Sequence, residues 1–234
     1  MRSGKFGFLN SFSAIPSGSD PYWANVVSLM HFDGADGSTT IDDEKGRIWT
    51  PSGNAQIDTA QSKWGGSSLL LDGTGDYLST PSASGLTLSA DATIEMWIRP
   101  TVVSGTKAIL TKRPSTGDAS EFAIGIFGGK VFANGWKAGD AISVSVVGGT
   151  TLLANSEYFL EVIVSGASWV VALNGVVDGS GTASGPIATN SSPVYLGRDP
   201  TNATRDYSGH IDDFRWTSGI ARAVELPTAA FPNY

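Results

Sequence analysis

The chain has 234 residues, no cysteine, 22 acidic and 15 basic side chains, and a formal net charge of −7. This rules out a disulfide framework, a thiolate zinc site and a cysteine nucleophile, and it disfavours nucleic acid or an anionic membrane as partner. No run of about 18 apolar residues occurs, so no membrane-spanning helix and no membrane insertion are expected.

Residues 1–22 read as an extended N-terminal arm. Phe6, Phe8, Leu9, Phe12 and Ile15 are apolar, and Pro16-Ser17-Gly18 and Asp20-Pro21 break the chain. Gly7, Asn10, Ser11 and Ser13 interrupt the apolar patch, so a cleaved signal peptide is not expected. Two readings stay open: a segment folded back on its own domain, or a docking arm that packs into a partner subunit.

Residues 23–234 read as one domain of short strands. Val26–Phe32 is the first, and Arg47–Thr50 and Ala55–Ile57 follow. Asp42, Asp43 and Glu44 form a solvated turn and lack the spacing of a calcium loop. Leu69–Leu71, then the turn dipeptides Asp72-Gly73 and Gly75-Asp76, lead into Tyr77-Leu78. In Thr93–Ile98, Ile94, Met96 and Ile98 alternate with Thr93, Glu95 and Trp97, the period of a strand. Further strands are expected at Ala108–Lys112, Glu121–Phe127, Lys130–Trp136, Ile142–Val147, Tyr158–Ser165, Trp169–Leu173, Val194–Gly197 and Ile211–Trp216. Asn174-Gly175 signals a hairpin. Gly179–Ser192 reads as a long loop, and Ile220–Val224 as at most about one helical turn. A dozen or so short strands between turn signals indicate an all-β sandwich or barrel.

The segments SLLLDGTGDYLS (68–79), ATIEMWIRP (92–100), YFLEVIVSGASWVVALNG (158–175), PVYLGR (193–198) and YSGHIDDFRWTSGIAR (207–222) resemble, in this order, the concanavalin A-like lectin/glucanase superfamily in its laminin-G-like, pentraxin-like branch. The resemblance implies a jelly-roll sandwich of two antiparallel sheets, with the first and last strands side by side. Leu29–Phe32 is then expected near Ile211–Trp216, with a bulge at Asp212-Asp213. Residues 32–55 look most like small structural proteins of tailed bacteriophages.

The family's glucanases carry alternating carboxylates on one strand. Here Thr93–Ile98 holds only Glu95, which is expected to face solvent or a hydrogen-bonding partner, so no enzymatic activity is expected. His31 and His210 sit on strands expected to pair and are read as a structural pair facing each other across the sheet. No cofactor is expected. Calcium is the best metal candidate, since pentraxin-like relatives often hold it in loops; Asp33, Asp72, Asp76, Asp212 and Asp213 are the candidate oxygen ligands by position. For glycan binding, Trp136 in a loop-like Asn134-Gly135-Trp136 offers a stacking ring, with half-buried hairpin anchor as the structural alternative. Arg198, Asp199, Arg205 and Asp206 offer hydrogen bonds. Trp97, Trp169 and Trp216 are expected in the core.

The expected protein is a non-enzymatic virion component, a capsid decoration or tail appendage. It would dock on other virion proteins through residues 1–22 and present a lectin-like sandwich toward a surface glycan. The alternative is a secreted glycan-binding module, with or without calcium. A homo-oligomer through sandwich edges fits either reading.

Overall fold

The structure is a computed structural model that describes residues 18–116 and 120–234. The arm residues Phe6, Phe8, Leu9, Phe12 and Ile15 lie outside that range. Fifteen strands are present among the described residues. They are β1 (Val26–Met30), β2 (Thr50–Ser52), β3 (Gln56–Asp58), β4 (Ser68–Asp72), β5 (Tyr77–Thr80), β6 (Ala92–Pro100), β7 (Thr106–Lys112) and β8 (Phe122–Phe127). Then come β9 (Lys130–Lys137), β10 (Ala141–Val147), β11 (Tyr158–Ser165), β12 (Ser168–Leu173), β13 (Val176–Thr182), β14 (Val194–Leu196) and β15 (Ser208–Ser218).

The strands form two antiparallel sheets. One runs β13-β12-β11-β6-β15-β4-β3, with β1 also paired to β15; the other runs β10-β9-β8-β7-β14-β5-β2. β15 explains the odd count. One of its edges pairs with β6 along its whole length. Its other edge takes β4 at Ser208–Ile211 and β1 at Phe214–Thr217. The first and last strands are therefore neighbours, Leu29 opposite Arg215 and Met30 opposite Phe214. The register slips between Asp212 and Arg215, and Asp213 takes φ of 48°, so the expected bulge is present.

Period-two alternation sorts side chains between two layers. Ile94, Met96 and Ile98 point into the core between the sheets, with Trp169, Phe214 and Trp216. Fully burying a Leu, Ile or Phe there contributes about 1.5–3 kcal/mol relative to exposure. Trp97 belongs to a second, smaller cluster on the outer face of the eight-stranded sheet, with Leu29, Phe159 and Phe231. Thus Trp97, Trp169 and Trp216 are all core residues, but of two different layers.

The tail covers that outer face. Arg215 makes two 2.7 Å hydrogen bonds to Glu95 and a 3.0 Å bond to Asp20, while Arg222 reaches Asp20 at 2.7 Å. The Arg215 guanidinium also lies 3.7 Å from the Phe231 ring centre. Residues 220–224 are not helical. The Thr93 hydroxyl donates to the Ile220 carbonyl and accepts from the Arg222 N–H, which ties this segment to β6 in an extended path. The expected loop at Gly179–Ser192 begins later, because Val176–Thr182 forms the edge strand β13.

Candidate functional site

The outer face of the seven-stranded sheet carries an open groove of about 350 Å³. Alternation builds it. In β8, Phe122, Ile124 and Ile126 turn into the core, which leaves Ala123, Gly125 and Phe127 outside. In β9, Val131 and Ala133 turn inward, so Phe132, Asn134 and Trp136 face outward. Gly125 is required here: a Cβ would lie 2.1 Å from the Lys107 carbonyl oxygen and 2.9 Å from the Phe132 ring. The neighbouring sheet positions Thr106, Thr111 and Ser145 complete the floor.

One end of the groove is charged. Arg113 lies over the Trp136 ring, 4.8 Å from its centre, and donates to Ser120 at 3.0 Å. Arg205 donates to Asp199 at 3.0 Å, and Arg113 approaches the same oxygen at 3.4 Å. Burial works against the Asp199 charge. The Thr201 hydroxyl and amide, with Arg205 and Arg113, outweigh it and hold Asp199 below the usual carboxylate range. The Oδ1 of Asn134 is buried in this wall and takes no hydrogen bond from the described residues.

Of the five glycan candidates, Trp136, Asp199 and Arg205 come together in this groove. Trp136 is not in a loop. It continues β9 past Asn134-Gly135, where Gly135 makes room for the Trp169 ring. Its residue exposure is 8% and that of Phe132 is 7%, so Phe127, at 59%, is the ring the groove exposes. Arg198 turns elsewhere, 4.4 Å over the Tyr77 ring. Asp206 is fully buried and accepts from the Gly75 N–H; burial raises its pKa. Phe127, Phe132, Asn134 and Arg113 were missed. Alternation in 121–127 and 130–136 carries the signal for the first three.

The acidic calcium candidates do not converge; among the described residues no group of three or more His, Asp or Glu side chains is placed to share an ion. Asp72 accepts from the Thr74 N–H in its own turn, and Asp76 from the Asn54 and Asp72 N–H groups. Asp33 is exposed beside Gly65, whose missing side chain leaves it room. Asp213 pairs with His31 at 2.7 Å and accepts from the Phe231 N–H. Asp212 accepts from the Lys63 and Trp64 N–H groups, and burial pushes it up to about 7.

The two histidines do not face each other. The bulge at Asp213 places that carboxylate against His31, which also contacts Asn233 at 2.6 Å, whereas His210 contacts Asp58 at 2.9 Å. Glu95 is the hydrogen-bonded strand residue, not an exposed one. A second carboxylate, Glu161, stands directly opposite it in the ladder. Glu161 is fully buried, accepts from the Glu225 N–H, and is raised to about 7 by burial. Glu95 is held bidentately by Arg215.

The fold has known counterparts. The binding domain of Paraclostridial Mosquitocidal Protein 1 superposes with a TM-score of 0.68 at 15% identity, covering 87% of this chain and 50% of that one. The botulinum neurotoxin serotype D binding domain gives 0.64 at 13%, with 85% and 49% coverage. The chain thus spans about half the length of these two domains. Domain 4 of AbnA, an extracellular arabinanase of Geobacillus stearothermophilus solved with arabinotriose, gives 0.62 at 18% and is covered over 94% of its length by 85% of this chain. At these identities the likeness is one of fold. No curated protein matches the chain by sequence. A laminin G family model does match, over residues 72–224, well over half the chain. By that match, and by the two-sheet architecture it predicts, the chain belongs to the concanavalin A-like lectin/glucanases superfamily.

Proposed function

We propose that the protein is a non-enzymatic glycan-binding jelly roll that uses the groove on its seven-stranded sheet. One observation carries this reading: Phe127, Phe132 and Trp136 converge with Arg113, Arg205 and Asn134 in a single open trough. Aromatic faces take the apolar side of a sugar ring, and fixed charged and amide groups take its hydroxyls. The arabinotriose-bound arabinanase domain, which shares the fold, supports the ligand class.

The test is a glycan array with the full chain, then calorimetry on the best ligand with Phe127→Ala and Trp136→Ala. Phe127 is 59% exposed, so its loss leaves the fold intact. Phe127→Ala is expected to weaken binding by about tenfold, from lost ring contact, and Trp136→Ala to weaken it by removing the surface that holds Arg113 in place. An array without ligands, or affinities unchanged in both variants, overturns the reading.

The sequence supports a finer placement on a virion, as capsid decoration or tail appendage docked through the N-terminal arm. The apolar residues Phe6, Phe8, Leu9, Phe12 and Ile15 of the arm, and the likeness of residues 32–55 to phage structural proteins, favour it. Asp20 is held by Arg215 and Arg222, so the informative truncation removes residues 1–17 only. The truncated chain is expected to fold but to fail to join particles. Normal incorporation refutes the anchor.

A further inference from the structure

A second polar site lies on the other sheet, far from the groove in the strand order. β6 and β15 set Trp97 opposite Asp212 and Arg99 opposite His210. These four side chains line a cavity of about 180 Å³, walled by residues 61–63 and by Asn155 and Glu157. Trp97, His210 and Asp212 are 5%, 9% and 4% exposed. Yet Trp97 Nε1, His210 Nδ1 and Asp212 Oδ1 take no hydrogen-bond partner from the described residues. Buried polar atoms are nearly always paired, so three orphans around one cavity call for an outside partner.

Their orientation is fixed from behind. The other ring nitrogen of His210 is held by Asp58, and the other oxygen of Asp212 accepts the Lys63 and Trp64 N–H groups. The cavity also carries an unspent charge. Lys63 is paired with Glu157 at 2.8 Å and lies over the Trp97 ring. Arg99 makes no ion pair among the described residues. A guanidinium with free donors suits a planar carboxylate. At about 180 Å³ the cavity is smaller than the roughly 300–1,000 Å³ of sites that take drug-sized ligands, which suits one sugar ring and not an oligosaccharide.

We propose that this cavity binds one carboxylated sugar unit, a hexuronate, with its carboxylate on Arg99 and its hydroxyls on Trp97 Nε1, His210 Nδ1 and Asp212 Oδ1. The inference takes its ligand class from the glycan-binding reading, but none of its residues lines the groove.

The experiment is calorimetric titration of the full chain with glucuronate and with glucose, repeated on Arg99→Gln, Trp97→Phe and Trp136→Ala. Glucuronate is expected to bind about tenfold tighter than glucose, the scale of one charge-assisted contact. Arg99→Gln should erase that preference. Trp97→Phe keeps the ring, loses the N–H and should weaken both sugars several-fold. The proposal is overturned if glucuronate does not bind, if the two sugars bind equally, or if Arg99→Gln keeps the preference. Loss of glucuronate binding in Trp136→Ala alone assigns the sugar to the groove and overturns this site while sparing the groove.

Discussion

Replacing Arg215 by Met tests the account of the outer layer most directly. Arg215 supplies two hydrogen bonds to Glu95 and one to Asp20, and its flat face covers Phe231. All three charged groups are at least nine-tenths buried. Removing one partner of a buried ion pair costs about 3–5 kcal/mol, since the remaining charge stays desolvated. Here Arg222 still holds Asp20 and lies 3.6 Å from Glu95, which places the expected loss near the lower figure, about 3 kcal/mol. For a domain of this size that lowers Tm by about 6–12 °C. Scanning calorimetry reads the shift, and hydrogen exchange should show residues 227–234 opening, because Phe231 loses its cover. Adding Glu95→Leu removes the stranded charge and is expected to restore most of the lost stability. A loss under about 2 °C in the single variant, or a double variant no better than the single, refutes the reasoning.

Glu161 sits buried with its pKa raised to about 7 from 4.5, so the fold loses stability as pH rises through that window. Glu161→Gln should therefore raise Tm at pH 8, by at most about 3 kcal/mol of stability, and leave it unchanged at pH 4.5. Burial opposes charge on His31, but its bonds to Asp213 and Asn233 and the nearby Asp213 and Glu44 charges raise it to about 9. Its contribution is complete below pH 6.5 and fades as pH rises to 9; denaturation curves of His31→Gln should lack that part of the slope. Gly125→Ala drives a methyl into the Lys107 carbonyl and should cost about 1–3 kcal/mol, read as a lower urea midpoint.

The sandwich was legible because alternation in Thr93–Ile98 and the apolar run Tyr158–Ser165 are strong signals, and both strands lie centrally in one sheet. β13 was not, because an edge strand buried on neither face needs no apolar residues, and Val176–Thr182 contains two glycines. The loop-like reading of Trp136 fails for a related reason, although the strand expected over Lys130–Trp136 is present. Asn134-Gly135 looks like a turn, yet Gly135 is there to clear Trp169 from the opposite layer, a contact no local pattern reports. The expected His31–His210 pairing failed at the bulge, which offsets β1 from the first half of β15. The tail hid its role because its anchors, Arg222 and Phe231, act on β6 and β15 and not on each other. The groove was half visible: its aromatic residues follow strand periodicity, but Arg113 and the Asp199–Arg205 pair enter from sequence-distant segments.

β15 binds three other strands at once, β6 on one edge and β4 and β1 on the other. During synthesis, β1, β4 and β6 emerge early and wait with unpaired edges for the strand that joins them. The eight-stranded sheet therefore closes only after residue 218 has left the ribosome, and folding proceeds through pairings far apart in sequence. Chains halted before β15 should expose ready-made strand edges and depend on chaperones. Chains that include it should fold in one cooperative step, with the last strand of the sandwich completing its first.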